Sequence, residues 1–133
     1  MKQQLTPEQR QDLVKFRLEL SDEALADATR NNSSGSCRAA INRIYYACFY
    51  SVTALLTAHK HAPTTHSGAK ALLGEYFVRT GRLENKYARF YSTIFNHRSD
   101  ADYGDFVYFE SEEVEEYLDQ ARSFIAKIKE MIE

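Results

Sequence analysis

The residues best suited to chemistry lie in one run, Arg98-Ser-Asp-Ala-Asp-Tyr103, with His97 just before it. A guanidinium such as that of Arg98 clamps a phosphate through two parallel hydrogen bonds and steadies charge that develops on it. The plainer reading is a cation near a helix C-terminus, paired with Asp100 or Asp102. Asp102 either orients Arg98 or a tyrosine hydroxyl on a facing helix, or simply caps the turn before Gly104. A second polar pair, Asn42 and Arg43, interrupts a stretch that is otherwise apolar. A buried polar group without a partner costs about 1–3 kcal/mol, so this pair is expected to reach the same polar cluster. Tyr46, one turn further on, can bring its hydroxyl there, although a tyrosine at that spacing is more often core.

Three imidazoles, His59, His61 and His66, fall within eight residues and invite a metal reading. The run crosses Pro63, has no cysteine nearby and departs from the His-x-x-x-His spacing that puts two ligands on one helix face, so no metal is expected. His66 reads instead as part of a Thr65-His-Ser-Gly68 helix start, its ring bonding a loop carbonyl. Cys37 and Cys48, with a spacing of eleven and no third thiol, make neither a disulfide framework nor a zinc site and read as small residues in a reducing cytosol. A glycine-rich phosphate loop, a G-x-S-x-G elbow and an H-E-x-x-H helix are all missing, which argues against nucleotide hydrolysis and serine-hydrolase chemistry. No cofactor is expected.

The elements that must position these residues follow from pattern. The 133 residues are 44% hydrophobic and 27% charged, ordinary for one globular domain spanning 1–133. No apolar run approaches the roughly 20 residues of a membrane span, and the N-terminus lacks a signal peptide's apolar stretch, so a cytoplasmic protein with no membrane contact is expected. Seventeen basic against nineteen acidic residues, a net of −2, leave no bulk field for nonspecific nucleic-acid binding; any such contact must be local. Thr6-Pro7 opens a helix predicted over about 7–30, and the polar run 31–36 reads as a loop. Residues 37 to about 60 carry a wide apolar stripe and form the central helix. A third helix begins at Thr65 or Ser67 and stops at Thr80-Gly81, a fourth is predicted over about 83–97, and residues 105–109 read as loop. Ser111 opens a last helix whose acidic first turns and basic last turns complement its dipole. The predicted fold is all-α, an up-and-down antiparallel bundle of four to five helices.

In order and spacing, Asn42-Arg-Ile-Tyr-Tyr-Ala-Cys-Phe-Tyr50, Thr65-His-Ser-Gly68, Val78-Arg-Thr-Gly81 and Arg98-Ser-Asp-Ala-Asp-Tyr103 resemble the HEPN superfamily. The likeness is to its small stand-alone branch with an N-R-x-Y-Y-A-x-F-Y helix and an R-x-x-A-D-Y segment, and it covers about 12 to 128. The resemblance implies a helical bundle that forms a homodimer, with a cleft at the dimer interface lined by the fourth helix and its following turn. It further implies an RNA-binding or metal-independent RNase role in toxin–antitoxin or defence modules, with a minimal nucleotidyltransferase or another antitoxin as partner. The family hallmark is Arg, four to six residues, then His.

Here that histidine position holds Tyr103. Imidazole titrates near 6.5 and a free phenol near 10, so tyrosine is the weaker proton carrier at pH 7. His97 is adjacent to Arg98, but neighbouring helical residues point roughly 100° apart, so both enter one site only if the helix ends there. On this resemblance Arg98, Tyr103 and His97 are the candidate catalytic residues, and Asn42, Arg43, Tyr46 and Asp102 the RNA- or phosphate-binding cluster. The alternative is a non-catalytic partner subunit of a minimal nucleotidyltransferase. The acidic start of the last helix, Glu110 to Glu116, is most simply a solvated face, though it also suits a basic partner.

Overall fold

The computed structural model describes residues 4–104 and 107–132. Five α-helices run in order: α1 over Pro7–Ser33, α2 over Cys37–Ala58, α3 over His66–Leu73, α4 over Asn85–Tyr103 and α5 over Ser111–Ile132. A five-residue π-helical turn, Gly74–Val78, continues α3. The all-α bundle expected from periodicity is the fold found. Among the described residues no helix is long and apolar enough to cross a membrane. Of the 105–109 segment, Val107, Tyr108 and Phe109 have no regular structure, while Asp105 and Phe106 lie outside the described residues.

Thr6 starts α1 with a reciprocal cap. Its hydroxyl accepts from the Gln9 amide at 3.1 Å, and the Gln9 side chain accepts from the Thr6 amide at 3.0 Å, two orphan donors satisfied at once. The helix overshoots the predicted end and takes in Asn31, Asn32 and Ser33. The reason is tertiary. Asn32 is 7% exposed; its amide nitrogen donates to Glu115 Oε2 at 2.9 Å and its oxygen accepts from the Ser111 hydroxyl at 3.2 Å. Anchoring to α5 outweighs the weak helix propensity of Asn and Ser. The chain reverses instead at Gly35, whose φ of +84° suits a residue without a Cβ.

Helix α2 is the hub, packing against α1, α3, α4 and α5. Ile41, Ile44, Tyr45, Cys48, Val52, Leu55 and Leu56 are fully buried. Small residues let α1 approach it closely: Ser21, Ala24 and Ala28 face it, and the Ser21 hydroxyl donates to the Ala47 carbonyl at 2.7 Å. Helix α5 contributes Val114, Leu118, Ala121, Phe124, Ile125 and Ile128 to the core.

Helix α4 also runs on past its predicted end at 97 to Tyr103, where the Gly104 amide bonds the Asp100 carbonyl at 2.8 Å. Gly104 is there for space, since a Cβ on it would lie 2.6 Å from the Asp100 oxygen and 2.7 Å from a Val107 methyl. Arg38 fastens the same segment, donating to the Val107 carbonyl at 2.8 Å and the Gly104 carbonyl at 3.2 Å. Gly104→Ala is therefore expected to cost about 1–3 kcal/mol through overpacking. Urea unfolding of the variant beside wild type checks this; an unchanged midpoint would mean the segment shifts freely.

Candidate functional site

Three aromatic rings from three helices form a stack that ends under a cation. Phe124 of α5 lies 5.5 Å from Tyr91 of α4 at an interplanar angle of 8°, and Tyr91 lies 6.2 Å from Tyr45 of α2 at 17°. The guanidinium carbon of Arg98 sits 5.1 Å above the Tyr45 ring, within cation–π range. Arg98 also faces Asp102 one turn on, at 3.7 Å. Its side chain is only 16% exposed, and its Nε is buried with no hydrogen-bond partner among the described residues. A guanidinium carries five donors, so this one has capacity to spare.

The sequence-predicted polar cluster is assembled around it. The Asn42 amide donates to both carboxylate oxygens of Asp102, at 3.1 and 3.2 Å. The Asn42 oxygen accepts from Arg43 Nε at 3.0 Å and Nη2 at 2.8 Å, and Arg43 lies 4.9 Å over the Tyr46 ring. Arg98 thus faces the Asp102 carboxylate directly, and Arg43 is linked to it through Asn42. Arg38, Asn42, Arg43 and Asp102 line an open cavity of about 290 Å³ on this face. The structure brings Arg98, Asp102, Asn42 and Arg43 together, and Tyr46 joins them through its ring under Arg43 rather than through its hydroxyl.

Tyr103 and His97 stand elsewhere. Tyr103 is 79% exposed at the end of α4. Because α4 continues through 98–103, His97 is turned to another face: its Nε2 is 2.8 Å from the Tyr117 hydroxyl and its ring packs on Phe109 at 5.5 Å. Burial and the nearby Glu113 and Glu116 push the Tyr117 hydroxyl above its usual range. The condition for His97 to join Arg98, a helix ending at that point, is not met.

Two residues outside the predicted cluster do join it. His66 Nδ1 is 2.7 Å from the Tyr45 hydroxyl, and its ring packs against Phe49 at 4.4 Å and edge-on to Tyr46 at 5.6 Å. The expected loop carbonyl is not its partner. Burial pushes the Tyr45 hydroxyl up to about 12, with the Arg98 charge working against the rise. Burial and the Arg98 charge both pull the His66 imidazole below its usual value. The Tyr45-Tyr46 pair was legible as aromatic, but nothing in the sequence joins it to a histidine 21 positions away.

Thr65 is what holds His66 in place: it caps α3, its hydroxyl accepting from the Gly68 amide at 2.8 Å. Thr65→Ala is expected to cost about 1 kcal/mol, read as a melting point lower by a few degrees. The other imidazoles are dispersed, His59 against Phe77 and His61 against Tyr76, and among the described residues no three His, Cys, Asp or Glu side chains converge.

The chain matches the HEPN domain family model over residues 14–131. It is 35% identical to a UPF0332 protein of Thermotoga maritima over 125 residues, 94% of this chain and 95% of that one. It is 33% identical over 119 residues to the protein named "Putative toxin MJ0605" of Methanocaldococcus jannaschii, covering 90% of this chain and 88% of the relative. A second protein of that organism, "Putative toxin MJ0142", is 32% identical over 93 residues, 70% of this chain and 63% of its own length.

Proposed function

As the chain belongs to the HEPN domain family, we propose that it is the toxin-type subunit of a toxin–antitoxin or defence module. In this reading it binds RNA through a phosphate at Arg98, in a cleft shared by two copies of the chain. The observation that carries the reading is the Arg98 cluster: a confined guanidinium over the Tyr45 ring, beside Asp102 and the Asn42–Arg43 pair that border an open cavity. Such a group gains most from a ligand that brings acceptors and negative charge together, as a phosphodiester does. Names carried by two relatives support the toxin part.

The site favours binding over chemistry, because neither His97 nor Tyr103 stands beside Arg98. Were cleavage to occur, the RNA 2′-oxygen would bond to phosphorus as the P–O5′ bond breaks, its proton passing to a base and the leaving oxygen taking one from water. The test is to incubate EDTA-treated protein with single-stranded RNA and tRNA, measuring binding by anisotropy and fragments ending in cyclic phosphate by electrophoresis. Saturable RNA binding supports the proposal, and fragments extend it to a nuclease. An absence of RNA binding overturns it in favour of the second reading, a subunit that docks a minimal nucleotidyltransferase as antitoxin. That alternative draws on the acidic opening of α5, where Glu112, Glu113, Glu115 and Glu116 suit a basic partner.

A further inference from the structure

His66 is linked to Arg98 through Tyr45, and it arrives from α3 rather than from the segment after Arg98. It touches three residues of the central helix, Tyr45, Tyr46 and Phe49. Tyr45 is also the ring beneath Arg98, so a single side chain carries both basic groups. We propose that His66 and Arg98 together form the phosphate-binding pair, His66 donating a hydrogen bond from its outer ring nitrogen to an RNA phosphate oxygen. This rests on the RNA-binding reading above and names a second residue for it.

The hydrogen-bond inventory supports that role. Tyr45 is fully buried, and its hydroxyl lies 2.7 Å from His66 Nδ1, with the Tyr91 hydroxyl its other polar neighbour. The proposal assigns Tyr45, a buried phenol that keeps its proton, as the donor to Nδ1. The neutral imidazole then carries its own proton on Nε2, the second-nitrogen logic by which a neighbour sets a histidine tautomer. Nε2 has no hydrogen-bond partner among the described residues, and the ring is partly exposed. Burial and the Arg98 charge pull the ring below its usual value, which favours the neutral donor over a further cation. Beside a bound phosphate the sign reverses: the anion stabilises imidazolium and offsets the Arg98 charge. The groups that face the ring are Tyr45 and Tyr46 of α2, Arg98 of α4, and Arg17 of α1 across a shared groove.

The test uses two substitutions that divide the ring's two nitrogens. In His66→Asn the short amide can still accept from Tyr45 but loses the outer edge; in His66→Gln the longer amide places an N–H near the Nε2 position. Binding of a fluorescein-labelled single-stranded RNA 12-mer is measured by anisotropy, and circular dichroism checks folding. His66→Asn should weaken binding about tenfold, the usual effect of losing a hydrogen bond to a charged group, while His66→Gln should stay within about threefold of wild type. In the wild-type protein, histidine NMR should show the His66 titration moving to higher pH when the RNA is added. Wild-type affinity in His66→Asn, or an unmoved titration, overturns the assignment while Arg98-dependent binding leaves the RNA-binding reading standing. Failure of the wild type to bind the 12-mer overturns both.

Discussion

Arg98→Ala is expected to reduce RNA affinity about a hundredfold or more and leave stability within about 1 kcal/mol of wild type. The affinity loss follows from two charge-assisted hydrogen bonds to a phosphate, each worth about 1.5–3 kcal/mol, at about 1.4 kcal/mol per factor of ten. The stability change is small because its components oppose. Removing the side chain forfeits a cation–π contact with Tyr45, about 0.5–1 kcal/mol, and a 3.7 Å ion pair with Asp102 worth about 0–1 kcal/mol. It also removes the burial cost of an unpaired Nε, about 1–3 kcal/mol. Arg98→Lys keeps the charge but loses the planar fork, so its affinity should fall between the two. Anisotropy and urea unfolding read the two quantities separately. A variant that keeps RNA affinity but melts far lower would make Arg98 a structural ion-pair residue, and the partner-subunit reading would take its place.

The geometry behind this expectation was partly legible in the sequence. Arg98 and Asp102 sit one helical turn apart, and Asn42 and Arg43 break an apolar stripe, so the need for polar partners could be read from spacing. What the spacing did not give is which helix ends carry on. The polar run His97–Tyr103 looks like a terminus, yet His97, Arg98 and Ala101 each pack against neighbouring helices or segments, and α4 ends only at Gly104. Asn31 to Ser33 misled in the same way, since Asn32 is helical because Glu115 and Ser111 bond to it from 83 and 79 positions away. The hydrogen-bond partner of His66 was missed for the same reason. Its position at a helix start is local information, whereas its bond to Tyr45 depends on how α3 packs on α2. The π-helical turn after Leu73 has no mark in the sequence that we can identify.

Phe124→Ala carries the largest expected cost in stability, and it tests whether the core reaches the site. Phe124 is fully buried and touches the rings of Tyr87, Phe90 and Tyr91. Truncating a buried phenylalanine costs about 3–5 kcal/mol through lost transfer energy and the cavity left behind, which for a domain of this size lowers the melting point by roughly 10–15 °C. Tyr91 then loses the ring stacked beneath it, and Tyr45, next in the stack, loses the support that holds its hydroxyl on His66 and its face under Arg98. The folded fraction of Phe124→Ala should therefore bind RNA several-fold more weakly than wild type. Leu118→Ala is the control: Leu118 is fully buried on the same helix, its truncation costs about 2–5 kcal/mol, and it contributes no ring to the stack. If both variants lose stability but only Phe124→Ala loses affinity, the stack transmits packing to the site. If the two lose affinity in proportion to stability, the effect is general loosening of the bundle, and Tyr45 is positioned by α2 alone.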